Sequence, residues 1–253
     1  MAGSITCVTN SVAGVRQPES AGRTAGAQAL VIAVDGPSGS GKSSAARGTA
    51  SALGLRYLDT GAMYRAVTWW MLEHDVDLAD PDAIARHTNG LSIEISTDPG
   101  KQRVRIDGID VTEEIRTRRV SNVVSVVAAV PQVRAELIAK QRAIIAGATQ
   151  TAGGIVAEGR DIGTVVAPDA AVKVFLTASE QVRAERRTAQ LGGSTQQPPT
   201  AAVTLAEQAK RDRRDARQSQ MAADAIAIDA TDLGLDDVIY RILALASANR
   251  ANR

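Results

Sequence analysis

Cysteine is almost missing from this chain: Cys7 is the only one, so no intrachain disulfide can form. Histidine is nearly as rare, with His74 and His87 alone, too few to build a Cys/His zinc site. One Phe, two Trp and three Tyr in 253 residues offer no stacking platform for single-stranded nucleic acid. Neither charge sign dominates, with 29 Lys and Arg against 28 Asp and Glu. No global field therefore draws nucleic acid or an anionic membrane. No apolar run approaches the roughly 18 residues that span a bilayer. Residues 1–28 are rich in Ala, Gly, Ser and Thr and lack the apolar core of a signal peptide. They read as a disordered tail, or as an upstream extension outside the working protein. The expectation is a cytoplasmic monomer whose partners are small molecules, not nucleic acid or membrane.

What is present is organised around Gly36-Pro37-Ser38-Gly39-Ser40-Gly41-Lys42-Ser43, a G-x-x-x-x-G-K-[ST] phosphate-binding loop. The apolar run Leu30–Val34 before it suits a buried parallel strand, and Ser43–Leu53 after it suits a helix. Glycines let consecutive backbone N–H groups turn inward at a helix N-terminus, which makes an anion cradle. Lys42 then reaches the β- and γ-phosphates, and the Ser43 hydroxyl serves a Mg²⁺ ion. The loop implies binding of a nucleoside triphosphate such as ATP, without saying what is done with it.

Downstream, Arg56–Asp59 reads as a second strand and Ala62–Glu73 as a helix with Tyr64 and Arg65 in its first turn. Leu91–Ile95 and Gln102–Arg105 continuing to Ile106 alternate apolar and polar residues around Thr97-Asp98-Pro99-Gly100, the pattern of an antiparallel hairpin. Ile109–Val111 adds a short third strand. Val120–Val130 is rich in β-branched residues, yet Val123, Val126, Val127 and Val130 follow a helical stripe, and helix is the reading adopted. Pro131 opens a further helix to about Ile145. Ile155–Ala157, Ala171–Leu176 and Ala225–Asp229 are strands, a helix follows Glu180 to about Gln190, Leu191–Thr200 is a mobile loop, and Leu235–Ala248 is a closing helix. Alternating strands and helices predict an α/β fold with a parallel sheet covered on both faces. The domain reading is a core over residues 29–81 and 151–253, an inserted acceptor-binding subdomain over 82–150 and a lid over about 187–217.

Several motifs together resemble the nucleoside monophosphate kinases, and among them the bacterial cytidylate kinases. They are VDGPSGSGKSS from Val34, LDTGAMYR from Leu58, DGIDVTEEIRT from Asp107, VAAVPQVR from Val127, EGRDIGTVVAPDA from Glu158 and VKVFLTAS from Val172. The resemblance implies Mg-dependent transfer of the ATP γ-phosphoryl group to CMP or dCMP. The loop residues Gly36 to Ser44 would hold ATP, with Ser44 following Ser43, and Arg65 and Arg160 would hold the acceptor phosphate. Thr60, Ser125, Arg134 and Asp161 would read the cytosine edge, Arg211 and Asp215 the ribose. Lys42, Arg183 and Arg214 would act on the transferred group, and Ser43 on the metal. Taken without the resemblance, Arg160–Asp161 reads as a local ion pair, Arg211–Asp215 as an i, i+4 surface pair, and Arg183 and Arg214 as a solvated basic face.

Two departures from the family pattern stand out. Glu158 occupies a position where the family usually carries Asp. After Asp215 the chain runs Ala216-Arg217-Gln218-Ser219-Gln220-Met221, without the expected further Arg and Ala-Pro-Leu. The rival readings are a kinase of another small acceptor such as UMP, and a P-loop ATPase or switch acting on a protein partner. The absence of an Asn-Lys-x-Asp guanine motif argues against a GTPase. Asp212 and Asp215, interleaved among Lys210, Arg211, Arg213, Arg214 and Arg217, argue against an RNA-binding stretch.

Overall fold

The protein is described by a computed structural model, which covers residues 29–192, 200–216 and 218–251. Its frame is a five-stranded parallel sheet in the order β2-β6-β1-β7-β8. The strands are β1 (Leu30–Asp35), β2 (Arg56–Asp59), β6 (Gly154–Gly159), β7 (Val172–Thr177) and β8 (Ile226–Asp229). Strand residues alternate faces; the central strands β1 and β6 are dry on both, while the edge strand β8 is mostly exposed. Leu30, Ile32, Val34, Tyr57 and Val156 pack on one side with Ala45, Ala46 and Ala50 of helix α1 (Lys42–Leu53) and Val238, Ile242 and Ala246 of α8 (Leu235–Ala251). Ala33, Leu58, Ile155 and Ala157 pack on the other, against helix α2 (Thr60–Glu73) and helix α5 (Pro131–Thr151). This is why the central strands read as unbroken apolar runs and not as alternating ones.

Between α2 and α5 lie α3 (Pro81–Thr88), the antiparallel strands β3 (Ile93–Ile95), β4 (Val104–Ile106) and β5 (Ile109–Asp110), and α4 (Arg118–Ala128). Their apolar side chains Ile84, Val104, Ile106, Val111 and Val127 join the same cluster as Leu58 and Ala157. The hairpin thus shares a core with the sheet. Helices α6 (Glu180–Gly192) and α7 (Ala201–Asp215) pack on each other between β7 and β8.

The ambiguous Val120–Val130 stretch is helical as far as Ala128, while Val130 is extended and caps α5. Burial of Val120 and Val127 outweighs the modest helix preference of valine. Three expectations differ from the structure. Helix α3 was not foreseen, although Asp80 accepts from the Asp82 N–H and Pro81 occupies the first turn, both ordinary start signals. Helix α5 runs to Thr151 rather than stopping near Ile145, because Ile145 and Ala148 still face the core. The third hairpin strand is only two residues long. Most of the Leu191–Thr200 loop lies outside the described residues, as do residues 1–28 and Arg217.

Candidate functional site

Strands β1, β2 and β6 end at one edge of the sheet, and a cleft of about 830 Å³ opens beyond their carboxyl ends, the usual ligand site of an open α/β sheet. Its donor side is built by the turn from β1 into α1. Gly36 has φ +150°, and a Cβ there would sit 2.1 Å from the Leu176 carbonyl oxygen. Gly39 has φ +79°, and a Cβ would sit 2.7 Å from the Arg183 carbonyl oxygen. Glycine is therefore a steric requirement at both. Helix α1 starts after Gly41 with no side-chain cap, which leaves its first N–H groups for an anion. The Ser40 hydroxyl is buried without a partner, and Lys42 Nζ donates to the Pro37 carbonyl at 3.2 Å. Ser38, Gly39, Gly41, Lys42, Ser43 and Ser44 line the cleft; Gly36, Pro37 and Ser40 shape the loop without lining it.

Electrostatics at this end are finely opposed. Removal from water, and next the Arg160 guanidinium, push the Lys42 ammonium down to about 7. Burial, and next Asp59, raise the Glu158 carboxyl, which accepts from Ser43 and, at 2.8 Å, from the Tyr57 hydroxyl. Burial also raises the Tyr57 phenol above its ordinary range. Asp35, buried at the end of β1, is pushed up to about 6 by desolvation, although it accepts N–H bonds from Gly163 and Ile162 at 2.8 Å each.

The other side of the cleft begins with Asp59, which caps α2 by accepting from the Ala62 N–H at 2.9 Å and holds Arg65 at 2.9 Å with its other oxygen. Burial opposes ionisation there, but Arg65 and then Arg116 keep the Asp59 carboxyl below its ordinary range. Arg65 Nε is buried and unpartnered, a donor pointing to a missing acceptor. Arg160 donates to the Gly36 carbonyl at 2.8 Å and to Asp215 at 3.3 Å, and so stands between the phosphate loop and α7. Arg134 is paired directly with Asp161. Ser125 donates to Asp215 at 2.7 Å, and Thr60 to the Glu158 carbonyl at 2.7 Å.

All eight residues expected to bind the acceptor line this one cleft: Thr60, Arg65, Ser125, Arg134, Arg160, Asp161, Arg211 and Asp215. Arg211 and Asp215, one turn apart on α7, face the same space. The two expected lid arginines do not. Arg183 is buried behind the loop, donating to the Ser38 carbonyl at 3.0 Å and paired with Asp212. Arg214 is exposed on α7 and lies outside the cleft. Arg187 lines the cleft instead, donating to the Ser121 hydroxyl at 3.0 Å. Burial, then Arg211 and other cations, push its guanidinium down to about 10.

Sequence reasoning passed over Asp35, Tyr57, Asp59 and Arg116. Asp35 and Asp59 each end a strand, a position that could have marked them. Arg116, one of several charges in Glu113-Glu114-Ile115-Arg116-Thr117-Arg118-Arg119, carried no signal that set it apart. Eight cationic side chains and six carboxylates line the cleft, an arrangement suited to a polyanion held beside a hydrogen-bonding group. For a divalent cation the residues present fit. The Ser43 hydroxyl meets the Glu158 carboxyl, two hard oxygen donors. Among the described residues no cluster of three or more His, Cys, Asp or Glu forms a ready cage, so phosphate oxygens and water would complete the shell, as magnesium prefers.

The family model for cytidylate kinase matches residues 32–248. A cytidylate kinase of Rhodococcus opacus is 51% identical over 222 residues, covering 86% of this chain and 95% of that protein. One from Streptomyces avermitilis is 44% identical over 88% of this chain and 95% of its own length. One from Pelotomaculum thermopropionicum is 46% identical over 87% and 96% respectively.

Proposed function

This chain belongs to the cytidylate kinase family, and we propose that its cleft passes the ATP γ-phosphoryl group to the phosphate of CMP or dCMP, giving ADP and CDP or dCDP. One observation carries the reading of the site: the Lys42 loop, Arg65, Arg160 and the Arg134–Asp161 pair open onto a single cleft. A triphosphate at α1 and a monophosphate at Arg65 and Arg160 thus share one space.

The nucleophile is a phosphate oxygen, already ionised near neutral pH, so no general base is required. Positioning and charge neutralisation do the work. Lys42 exchanges the Pro37 carbonyl for phosphate oxygens. Arg65 and Arg160 orient the acceptor phosphate through their planar forks, a geometry that lysine does not reproduce. Ser43, backed by Glu158, would hold Mg²⁺, which would supply positive charge against the phosphates. Arg187, and Arg183 or Arg214 once α6 and α7 move over the loop, cover the transferred group and exclude water.

Asp161 accepts from the exocyclic amine of cytosine while Arg134 donates to its ring and carbonyl acceptors. Uracil would present a carbonyl to Asp161, costing roughly 1–3 kcal/mol. Arg211 and Asp215 hold the sugar hydroxyls. The core, insert and lid boundaries stated above, a monomeric state and a cytoplasmic location belong to the same proposal. No single helix among the described residues is long and apolar enough to cross a membrane.

The deciding experiment is coupled ADP release from Mg·ATP with CMP, dCMP, UMP, AMP, GMP or no acceptor. ADP formed with CMP and dCMP and little with the others is expected. Equal release without any acceptor would instead mark an ATPase. Asp161→Ala should raise KM for CMP at least tenfold and leave that for ATP within about twofold; equal damage to both would remove Asp161 from the base site.

A further inference from the structure

Helix α4 of the insert and helix α7 are tied by polar contacts that climb both helices in step. Arg118 grips Glu207 with Nε at 3.0 Å and Nη2 at 2.5 Å, and Asn122 Nδ2 reaches the same carboxylate at 3.4 Å. One turn on, Arg211 donates to the Ser121 carbonyl and Arg187 to its hydroxyl. Another turn on, Ser125 donates to Asp215. Beyond α7, Gln218 Nε2 reaches the Ala128 carbonyl at 3.4 Å. On α7 the partners fall at 207, 211 and 215, the repeat that keeps side chains on one helix face.

The inner rungs use groups that the proposed reading assigns to the acceptor, namely Arg211, Ser125 and Asp215. A bound nucleoside competes for them. The outermost rung differs: Glu207 does not line the cleft, and its carboxylate is taken up by Arg118 and Asn122. We infer that Glu207, gripped by Arg118, is a positioning residue that holds α7 against α4 and thereby presents Arg211 and Asp215 to the acceptor sugar. The assignment of that sugar rests on the function proposed above; the clamp itself does not. Its two side chains are partly solvated, 45% and 28% exposed, so its effect is a modest, salt-screened bias. Such a bias adjusts how often the two helices meet and leaves the fold intact.

The test uses the full chain with Glu207→Arg, Arg118→Glu and the doubly reversed pair. Glu207→Arg should raise KM for CMP about three- to fivefold, with kcat kept or slightly raised, KM for ATP within twofold and the melting temperature unchanged. The reversed pair should recover most of the lost affinity relative to Glu207→Arg, although Arg118, which does line the cleft, is itself altered. An unchanged KM for CMP in Glu207→Arg, or a reversed pair no better than either single variant, overturns the inference. A second measurement needs no catalysis. In a Cys7→Ser background, spin labels at Ala129 and Ala206 should give a narrow distance distribution that broadens with Glu207→Arg and narrows again in the reversed pair. Distances indifferent to Glu207→Arg also overturn the clamp. A clamp seen by distance in a protein that shows no CMP-dependent ADP release would sink only the functional reading.

Discussion

Two desolvated ionisable side chains, Lys42 in the cleft and the buried Asp35, carry the sharpest consequences at the scale of the residue. Lys42, pushed down to about 7, is largely neutral at pH 8 until an anion arrives and raises it again. Nucleotide binding at pH 8 should therefore take up roughly half a proton or more through Lys42. Calorimetry in buffers of different ionisation enthalpy measures this, and Lys42→Met should remove it. Lys42→Ala should lower turnover at least ~100-fold with an unchanged circular dichroism spectrum; substantial residual transfer would contradict the loop assignment. Asp35 titrates near 6 in the folded protein and near its ordinary value when unfolded. Its folded value is raised, so the folded state keeps a proton that the unfolded state has already released. Its contribution to stability therefore falls as pH rises from about 4 to about 6 and is level above that. Urea unfolding of wild type minus Asp35→Asn should drop by about 2–3 kcal/mol across that window. A flat difference would contradict the raised value. Asp59 has the opposite sign: its lowered carboxyl adds stability that is lost only as pH falls below the ordinary aspartate value.

Elements were legible wherever one local rule was strong. β1 announced itself by an apolar run ending in a glycine loop, whereas α2 was legible only from Ala62 onward, without the Asp59 cap that starts it at Thr60. The hairpin announced itself by alternation around Pro99-Gly100. Helix α3 was overlooked because eight residues give little room for a period, even with Asp80 and Pro81 in place. Helix α4 was legible only as a balance. Val127 is buried in the core, while Ser121, Val124 and Ser125 line the cleft, so one helix serves packing and site at once. The hairpin's packing has a measurable cost. Ile106 in β4 is fully buried, and Ile106→Ala should destabilise the protein by about 3 kcal/mol through lost burial and the cavity left behind. A loss below ~1 kcal/mol would mean that the hairpin does not share the core.

For the whole molecule, the arrangement of the two cores makes a prediction of its own. One cluster includes Ile106 together with Leu58 and Ala157 of the sheet, and the other includes Ile242 of α8. They press on opposite faces of β1, β2 and β6. Ile106→Ala and Ile242→Ala should therefore each lower one cooperative unfolding transition, with no separate step for the insert. Calorimetry showing two transitions would reveal an insert that opens by itself.

Local sequence determined the phosphate loop, the parallel α/β frame and most of the strands, because glycine sterics, capping and apolar runs act within a few residues of one another. By resemblance it also singled out residues expected to bind the acceptor, yet their meeting in one cleft depends on separations such as that between Arg134 and Asp161, or Arg160 and Gly36. Contacts across such distances are decided by packing alone. Only the tertiary structure shows Arg183 buried behind the loop with Asp212, Arg187 in the cleft instead, and Arg116 beside Asp59. The reason is that a lone arginine on a helix has no local rule saying which neighbour it meets. The desolvation of Asp35, Lys42 and Glu158 is likewise a property of the assembled sheet edge, since it exists only once the surrounding elements have closed around a charge.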